Sequence, residues 1–273
     1  MKTIISGIEP WMLSHVRKYI KNAEYAEGIF CSLFLNSVEK VSLILAVDGV
    51  RDLVGLGNVL DRVLILCEMG LIDRIIGLSS YCVYDNKEST AFSESDTVKP
   101  RNFVGMRASS LESFLSYVSE RYEVAAVSLR AFNIYGPFQE KPYLVPSLLA
   151  QAISGNIVNI GDSDKVRDFL YIGDLARAIS ILLSSEPKRG YKVYNVGSGK
   201  GTKIGELFSM IKVLTTNSAE PIFDATKLRE EYDYDYAVAD ITRIKKELGW
   251  EPKVSLEEGL ALTYQWILGR SGK

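Results

Sequence analysis

Short β-branched apolar runs alternate with segments of helical periodicity along most of the chain, and this alternation constrains the fold more than any other feature. Residues 2–6, 28–35, 41–47, 74–78, 124–129, 157–160 and 192–196 have the length and residue types of strands. Between them, residues 12–21, 59–69, 109–121 and 146–154 carry apolar residues at helical spacing. Gly70 follows the second of these helices, where a left-handed cap needs no β-carbon. Asp174 is placed to N-cap a helix over 175–183, and further helical stretches surround Gly205, Ile241 and Leu256. Strands that alternate with helices predict an α/β domain with a mainly parallel sheet covered on both faces.

Composition removes several classes of function. The 32 basic and 34 acidic residues nearly cancel, and no basic block is present, so a nucleic-acid partner is not expected. Cys31, Cys67 and Cys82 are odd in number and widely spaced, which predicts a reducing compartment, here the cytoplasm, without disulfides. The opening MKTIISGIEP holds too short an apolar run for a signal peptide. The run 41–47 is too short to span a bilayer. His15 is the one histidine, and its setting in LSHVRKYI predicts structural duty in an early helix. That leaves a Ser-His-Asp or Cys-His hydrolase without a base. No His, Cys and acid spacing suits a metal.

Five segments carry a family resemblance. They are Ser79-Ser80-Tyr81-Cys82-Val83-Tyr84, then Leu129-Arg130-Ala131-Phe132-Asn133-Ile134-Tyr135-Gly136-Pro137, then Arg167-Asp168-Phe169-Leu170-Tyr171-Ile172-Gly173-Asp174. Tyr194-Asn195-Val196-Gly197-Ser198-Gly199 and Leu248-Gly249-Trp250-Glu251-Pro252 complete the set. In this order the chain resembles the extended short-chain dehydrogenase/reductases, which include NAD-dependent nucleotide-sugar epimerases and dehydratases. The resemblance implies a Rossmann-like doubly wound parallel sheet with a smaller C-terminal substrate-binding lobe. Residues 1–135, with the strand near 192–196 returning, would form the nucleotide-binding domain, and 136–273 the substrate lobe. It also implies NAD or NADP as cofactor and a nucleoside-diphosphate sugar between the lobes. A homodimer would pair through helices 59–69 and 109–121, with Leu111, Phe114, Leu115 and Val118 either as an apolar seam or as a stripe facing the sheet.

The catalytic half departs from the family pattern. The family's cofactor loop is G-x-x-G-x-x-G, and the matching stretch here runs Gly7-Ile8-Glu9-Pro10-Trp11-Met12-Leu13. Only Gly7 survives. Proline removes a backbone donor, tryptophan and leucine add bulk, and Glu9 brings negative charge toward two phosphates. The chain then reaches the strand at 41–47 about thirty residues sooner than the family does, short of one strand and one helix. The Tyr-x-x-x-Lys pair is also missing. Depending on alignment its positions fall at Phe103 and Arg107, or at Val104 and Ala108, and neither pair supplies a proton donor. NAD or NADP is therefore expected to bind weakly or not at all.

The substrate side is better kept. By resemblance Ser80 hydrogen-bonds the sugar, although it could equally satisfy a strand-end backbone group. Asn133 matches a residue that contacts the diphosphate, or serves only as a turn residue. Arg167 matches a phosphate-binding arginine, or pairs with Asp162 or Asp168. Arg229 corresponds to a second such arginine. Two readings follow: an epimerase- or dehydratase-like protein with an eroded catalytic site, or a non-catalytic homologue that senses sugar nucleotides or partners an active relative.

Overall fold

The computed structural model describes residues 2–7, 9–20, 23–25, 40–46, 53–140, 142–155, 158–216, 221–223 and 234–271. The expected strand at 28–35 and Arg229 lie outside these residues. A six-stranded, wholly parallel sheet has the order β2-β1-β3-β4-β5-β9, formed by β1 (Lys2–Ser6), β2 (Ala23–Tyr25), β3 (Val41–Ala46), β4 (Ile72–Ser80), β5 (Ala125–Ala131) and β9 (Gly190–Val196). The chain leaves β1 through α1 (Pro10–Tyr19), adds β2 outside it, then crosses to β3 on the other side. That reversal makes a topological switch point at the carboxyl ends of β1 and β3.

Strand residues alternate between two apolar layers, as the period of two requires. Ile4, Leu43, Leu45, Ile75 and Ala126 pack against α2 (Leu53–Glu68) and α3 (Phe103–Tyr122). Ile5, Ile44, Ile76, Leu129 and Val196 pack on the other face against α1 and α5 (Ile172–Ser184). This second layer also takes in Ile244 of α7 (Thr242–Leu248) and the fully buried Trp250. The core around the sheet thus draws on 172–184 and 244–250 as well as on the strand expected near 192–196. A separate core joins α4 (Leu144–Ile153), α6 (Ile204–Thr215) and α8 (Leu256–Ser271) beside β8 (Val166–Tyr171). Around β8 the short strands β6 (Asn133–Tyr135), β10 (Gly201–Lys203) and β12 (Tyr236–Ala237) form a small sheet, while β7 (Val158–Ile160) pairs with β11 (Pro221–Phe223).

Three expectations need correction. Leu111, Leu115 and Val118 do not form an intersubunit seam; they are buried in the layer beneath the sheet, and a β-carbon on Gly77 of β4 would strike Leu115. Helix α3 begins at Phe103, six residues before the expected start, because the Asn102 side chain accepts the Gly105 N–H at 2.9 Å as an N-cap. Asp174 is not the cap of α5, a position held by Tyr171. It lies one turn inside the helix, where its carboxylate accepts the backbone N–H groups of Lys253 and Val254, both at 3.0 Å, and pairs with Arg177 at 2.7 Å. The Trp250 indole donates to the Asp174 carbonyl at 3.0 Å, so the Trp250-Glu251-Pro252 segment is latched onto α5. No helix among the described residues is long and apolar enough to cross a membrane.

Candidate functional site

Beyond the carboxyl ends of β1, β4 and β5 lies a cavity of about 290 Å³. Trp11 and Met12 reach it from the first turn of α1, Ser80 and Tyr81 from the end of β4, and Asn133 from the end of β5. The register of Ser80 opposite Ala131 brings the last two groups to one edge. Tyr81 donates to the Asn133 carboxamide oxygen at 3.5 Å, and the Asn133 amide donates to the Asp168 carbonyl at 3.3 Å. Ser80 lines the cavity, and its Oγ accepts the Cys82 N–H at 3.2 Å, the strand-end backbone contact that was one of its two expected roles. Gln139 and Tyr143 close the far side; neither stood out in the sequence, since they lie in a loop with no motif.

The positions expected for the family's Tyr/Lys pair divide between the two alignments. Val104 and Arg107 line the cavity, whereas Ala108 is buried in the aromatic cluster of Tyr84, Phe92, Phe132 and Tyr234. Phe103 is turned to a shallow surface beside Pro100 and Met106, under the Arg107 guanidinium at 5.1 Å. Gly105 sets this rotation: a β-carbon there would lie 2.0 Å from the Cys82 carbonyl oxygen, so the first turn of α3 presses directly on the backbone after β4.

Beneath the cavity the polar groups are locked. Ser79 donates to Glu112 at 2.6 Å, and Arg130 holds the same carboxylate through Nε at 2.9 Å and Nη2 at 2.7 Å. Burial is the largest single influence and alone would lower the Arg130 pKa, but the hydrogen bond and charge of Glu112 together with Tyr84 outweigh it and the net shift is upward. The Tyr84 hydroxyl, donating to Asn195 at 2.6 Å, is pushed up to about 12 by burial and stays neutral. These groups tie β4, β5 and α3 together beneath the cavity.

Asp168 is fully buried and serves as a hub. Its carboxylate accepts Ser198 N–H and Ser198 Oγ, each at 2.6 Å, Gly199 N–H at 2.9 Å and Ala239 N–H at 3.1 Å. The Gly197-Ser198-Gly199 turn is thus a structural element tied to β8. Burial pushes the Asp168 pKa up while these donors pull it down. Arg167 sits beside it on β8, 5% exposed, donating to the Val166 carbonyl at 2.9 Å. It does not line the cavity, but it shares a strand face with Phe169, which does.

At the cofactor loop, Gly7 keeps a left-handed φ of +71°, and a β-carbon there would lie 2.1 Å from the Ala46 oxygen. The turn out of β1 therefore still needs glycine. The helix after it starts with Pro10 at its first position, which lacks an N–H, and buries Trp11, Met12 and Leu13. His15 is buried on α1, its Nε2 3.1 Å from the Pro137 carbonyl oxygen. Burial lowers its pKa against the opposing pull of that hydrogen bond, which fits the structural duty expected of it. No group of three or more His, Cys, Asp and Glu side chains among the described residues is arranged to hold a metal.

The model of the GDP-mannose 4,6 dehydratase family matches residues 49–263. The chain belongs to this family. With it comes the wider group of extended short-chain dehydrogenase/reductases that act as nucleotide-sugar epimerases and dehydratases. A low-salt glycan biosynthesis protein of Haloferax volcanii is 30% identical over 200 residues, covering 72% of this chain and 63% of that protein. A putative UDP-glucose 4-epimerase of Methanocaldococcus jannaschii is 28% identical over 226 residues, covering 81% and 70%. The chain thus spans about two thirds of the length of such relatives. Among solved structures, the fold is similar to UDP-glucose 4-epimerase from Thermotoga maritima with UDP-glucose (TM-score 0.82, 24% identity, 99% of this chain and 100% of that one). It is also similar to the Bacillus cereus UDP-glucuronic acid 4-epimerase in complex with UDP-glucuronic acid and NAD (TM-score 0.84, 23% identity, 99% and 100%).

Proposed function

We propose that the chain binds a nucleoside-diphosphate sugar in the cavity over β4 and β5 and does not run the family's nicotinamide-dependent reaction, acting as a sugar-nucleotide sensor or as partner to an active relative. The observation that carries this reading is the lining: Ser80 and Asn133 remain, while Trp11, Met12 and Val104 occupy the side toward α1 and α3. A cavity of about 290 Å³ is at the small end for one ligand and leaves no room for a sugar and a dinucleotide together. The start of α1 does not suit a pyrophosphate either. Pro10 offers no N–H, and the Glu9 carboxylate would face the phosphates. NAD or NADP is expected to bind more weakly than about 1 mM, or −4 kcal/mol. Without the Tyr/Lys pair, proton transfer would lose a further factor of about 10²–10⁴.

In this reading Ser80 and Asn133 hold the sugar and inner phosphate, and Arg167, one step along β8 from Phe169, reaches the diphosphate at the cavity edge. Calorimetry with UDP-, dTDP- and GDP-glucose, each with and without NAD, tests it. Saturable sugar-nucleotide binding without NAD, together with no nucleotide absorbance released on denaturation, is the expected result. Micromolar NAD binding, or failure to bind any of the three sugars, refutes it. The alternative reading of an enzyme with a rebuilt site is favoured by one observation, the Tyr81 hydroxyl in the cavity 3.5 Å from Asn133. Turnover of a nucleotide sugar, lost in Tyr81→Phe, would establish it.

A homodimer and a cytoplasmic location belong to the same proposal. With Leu111, Leu115 and Val118 turned inward, the pairing surface on α2 and α3 would be Ile65, Met69 and Tyr117, which are exposed. A concentration-independent monomer mass by light scattering would refute it. Cys67 and Cys82 are buried free thiols, and burial pushes Cys67 up to about 12, consistent with inert cysteines in a reducing compartment.

A further inference from the structure

A second, larger concavity of about 710 Å³ opens at the start of α1 and shares Trp11 and Tyr143 with the cavity over β4 and β5. Its walls are the rings of Trp11, Phe138, Tyr143 and Trp266, and the only charged side chains lining it among the described residues are Glu9 and Glu140. The rings stand at angles to one another. Trp11 and Tyr143 are 6.2 Å apart at 57°, and Phe138 and Trp266 are 5.1 Å apart at 46°. Such tilting presents faces from several directions rather than one flat stack.

Phe138 is the unusual member. It is 41% exposed and holds φ at +68°, a left-handed conformation that is strained for a non-glycine residue. It is wedged edge-on against His15 at 5.7 Å, whose Nε2 lies 3.1 Å from the carbonyl oxygen of the preceding Pro137. A large apolar ring is thus held in the open by backbone strain and a buried hydrogen bond, an arrangement that core packing does not call for.

We propose that this concavity is an aromatic cage for a small organic cation of the alkylammonium type. Ring faces carry the negative end of the aromatic quadrupole and attract a cation over them. Two carboxylates add full negative charges. The α1 dipole opposes them with about half a positive charge at its N-terminus, which Glu9, the residue immediately before the helix, offsets. Anionic ligands are disfavoured on the same grounds. The cage does not depend on the sugar-nucleotide reading, since a cation binds here whether or not the neighbouring cavity is filled.

Tryptophan fluorescence tests it, because two of the three tryptophans line the cage and the third, Trp250, is fully buried against α5. Choline should quench or shift the emission with half-saturation near or below about 1 mM. Its neutral isostere 3,3-dimethylbutan-1-ol should not. Nα-acetyl-Nε-trimethyllysine amide serves as the other arm: tighter binding of it assigns the cage to a protein side chain, and tighter binding of choline to a free metabolite. Phe138→Gly removes one wall while relieving the left-handed strain, so the fold should persist and choline binding weaken about 5- to 30-fold. Trp266→Leu should weaken it over the same range, and Glu140→Gln by about 3- to 10-fold. Equal responses to choline and the neutral isostere, or no saturation by about 20 mM choline, would overturn the proposal.

Discussion

Replacing Asp168 with asparagine should destabilise the protein severely without touching the sugar cavity. The carboxylate is fully buried and meets four donors: one oxygen accepts Ser198 N–H and Oγ–H, the other Gly199 N–H and Ala239 N–H. All four partners donate, which suits an ionised acid with acceptors alone. Asparagine is the same size, yet only its oxygen accepts. Its amide nitrogen would face two N–H groups with no acceptor between them. Two buried donors left unsatisfied cost about 1–3 kcal/mol each, so the expected loss is about 2–6 kcal/mol. That is a large share of a total stability of about 5–15 kcal/mol.

At about 2–4 °C per kcal/mol for a chain of this size, the melting temperature should fall by roughly 5–20 °C. Urea unfolding at neutral pH measures the loss directly. Ser198→Ala provides the internal comparison. It removes one hydroxyl donor and leaves the carboxylate three partners, so it should cost about 1.5–3 kcal/mol and never as much as the asparagine. Asn133 reaches the Asp168 backbone carbonyl, not its side chain, so sugar-nucleotide affinity per folded molecule should be unchanged. An asparagine variant within about 0.5 kcal/mol of wild type would refute the assignment of Asp168 as the hub of this turn.

Gly105→Ala sets helix propensity against sterics. Alanine gains about 1 kcal/mol in a helix, but its β-carbon would lie 2.0 Å from a backbone oxygen that cannot rotate away, so a net loss of about 1–3 kcal/mol should appear in urea melts. His15 has a pKa depressed by burial, so the stability linked to it is fully present above the unfolded-state value near 6.5 and is lost as pH falls through the folded value. His15→Gln should flatten stability between about pH 7 and 5 relative to wild type, and NMR of the one imidazole should show the depressed titration directly. Asn133→Ala should weaken sugar-nucleotide binding by about 0.5–1.5 kcal/mol, and Arg167→Ala by about 1.5–3 kcal/mol, both read by calorimetry.

The fold was legible because burial of a parallel sheet on both faces demands predominantly apolar strands, and 41–47, 74–78 and 124–129 are such runs, each with a single polar residue (Ser42, Arg74, Ser128). The limits came where one residue serves two surfaces. Leu111, Leu115 and Val118 make a helical stripe whether they face a sheet or a second subunit, and only Gly77, which leaves them space on the strand below, decides for the sheet. The same holds for the positions expected for the family's Tyr/Lys pair. Counting along the sequence offers Phe103 and Arg107 or Val104 and Ala108, yet helix rotation is set by Gly105 against the Cys82 carbonyl, and the residues that face the cavity are one from each pair, Val104 and Arg107. Asp174 has the residue type of a cap, and only the return of the chain at Lys253 and Val254 reveals its partners. Trp11 gives the sharpest case. In the sequence it is an obstruction in a phosphate loop. In the fold it lines two concavities, one that also holds Ser80 and Asn133 and one lined by Phe138, Trp266, Glu9 and Glu140. On the proposed reading, one bulky residue at the start of α1 would have two physical consequences: it would take space from a dinucleotide, and it would supply a wall that no glycine-rich loop could provide.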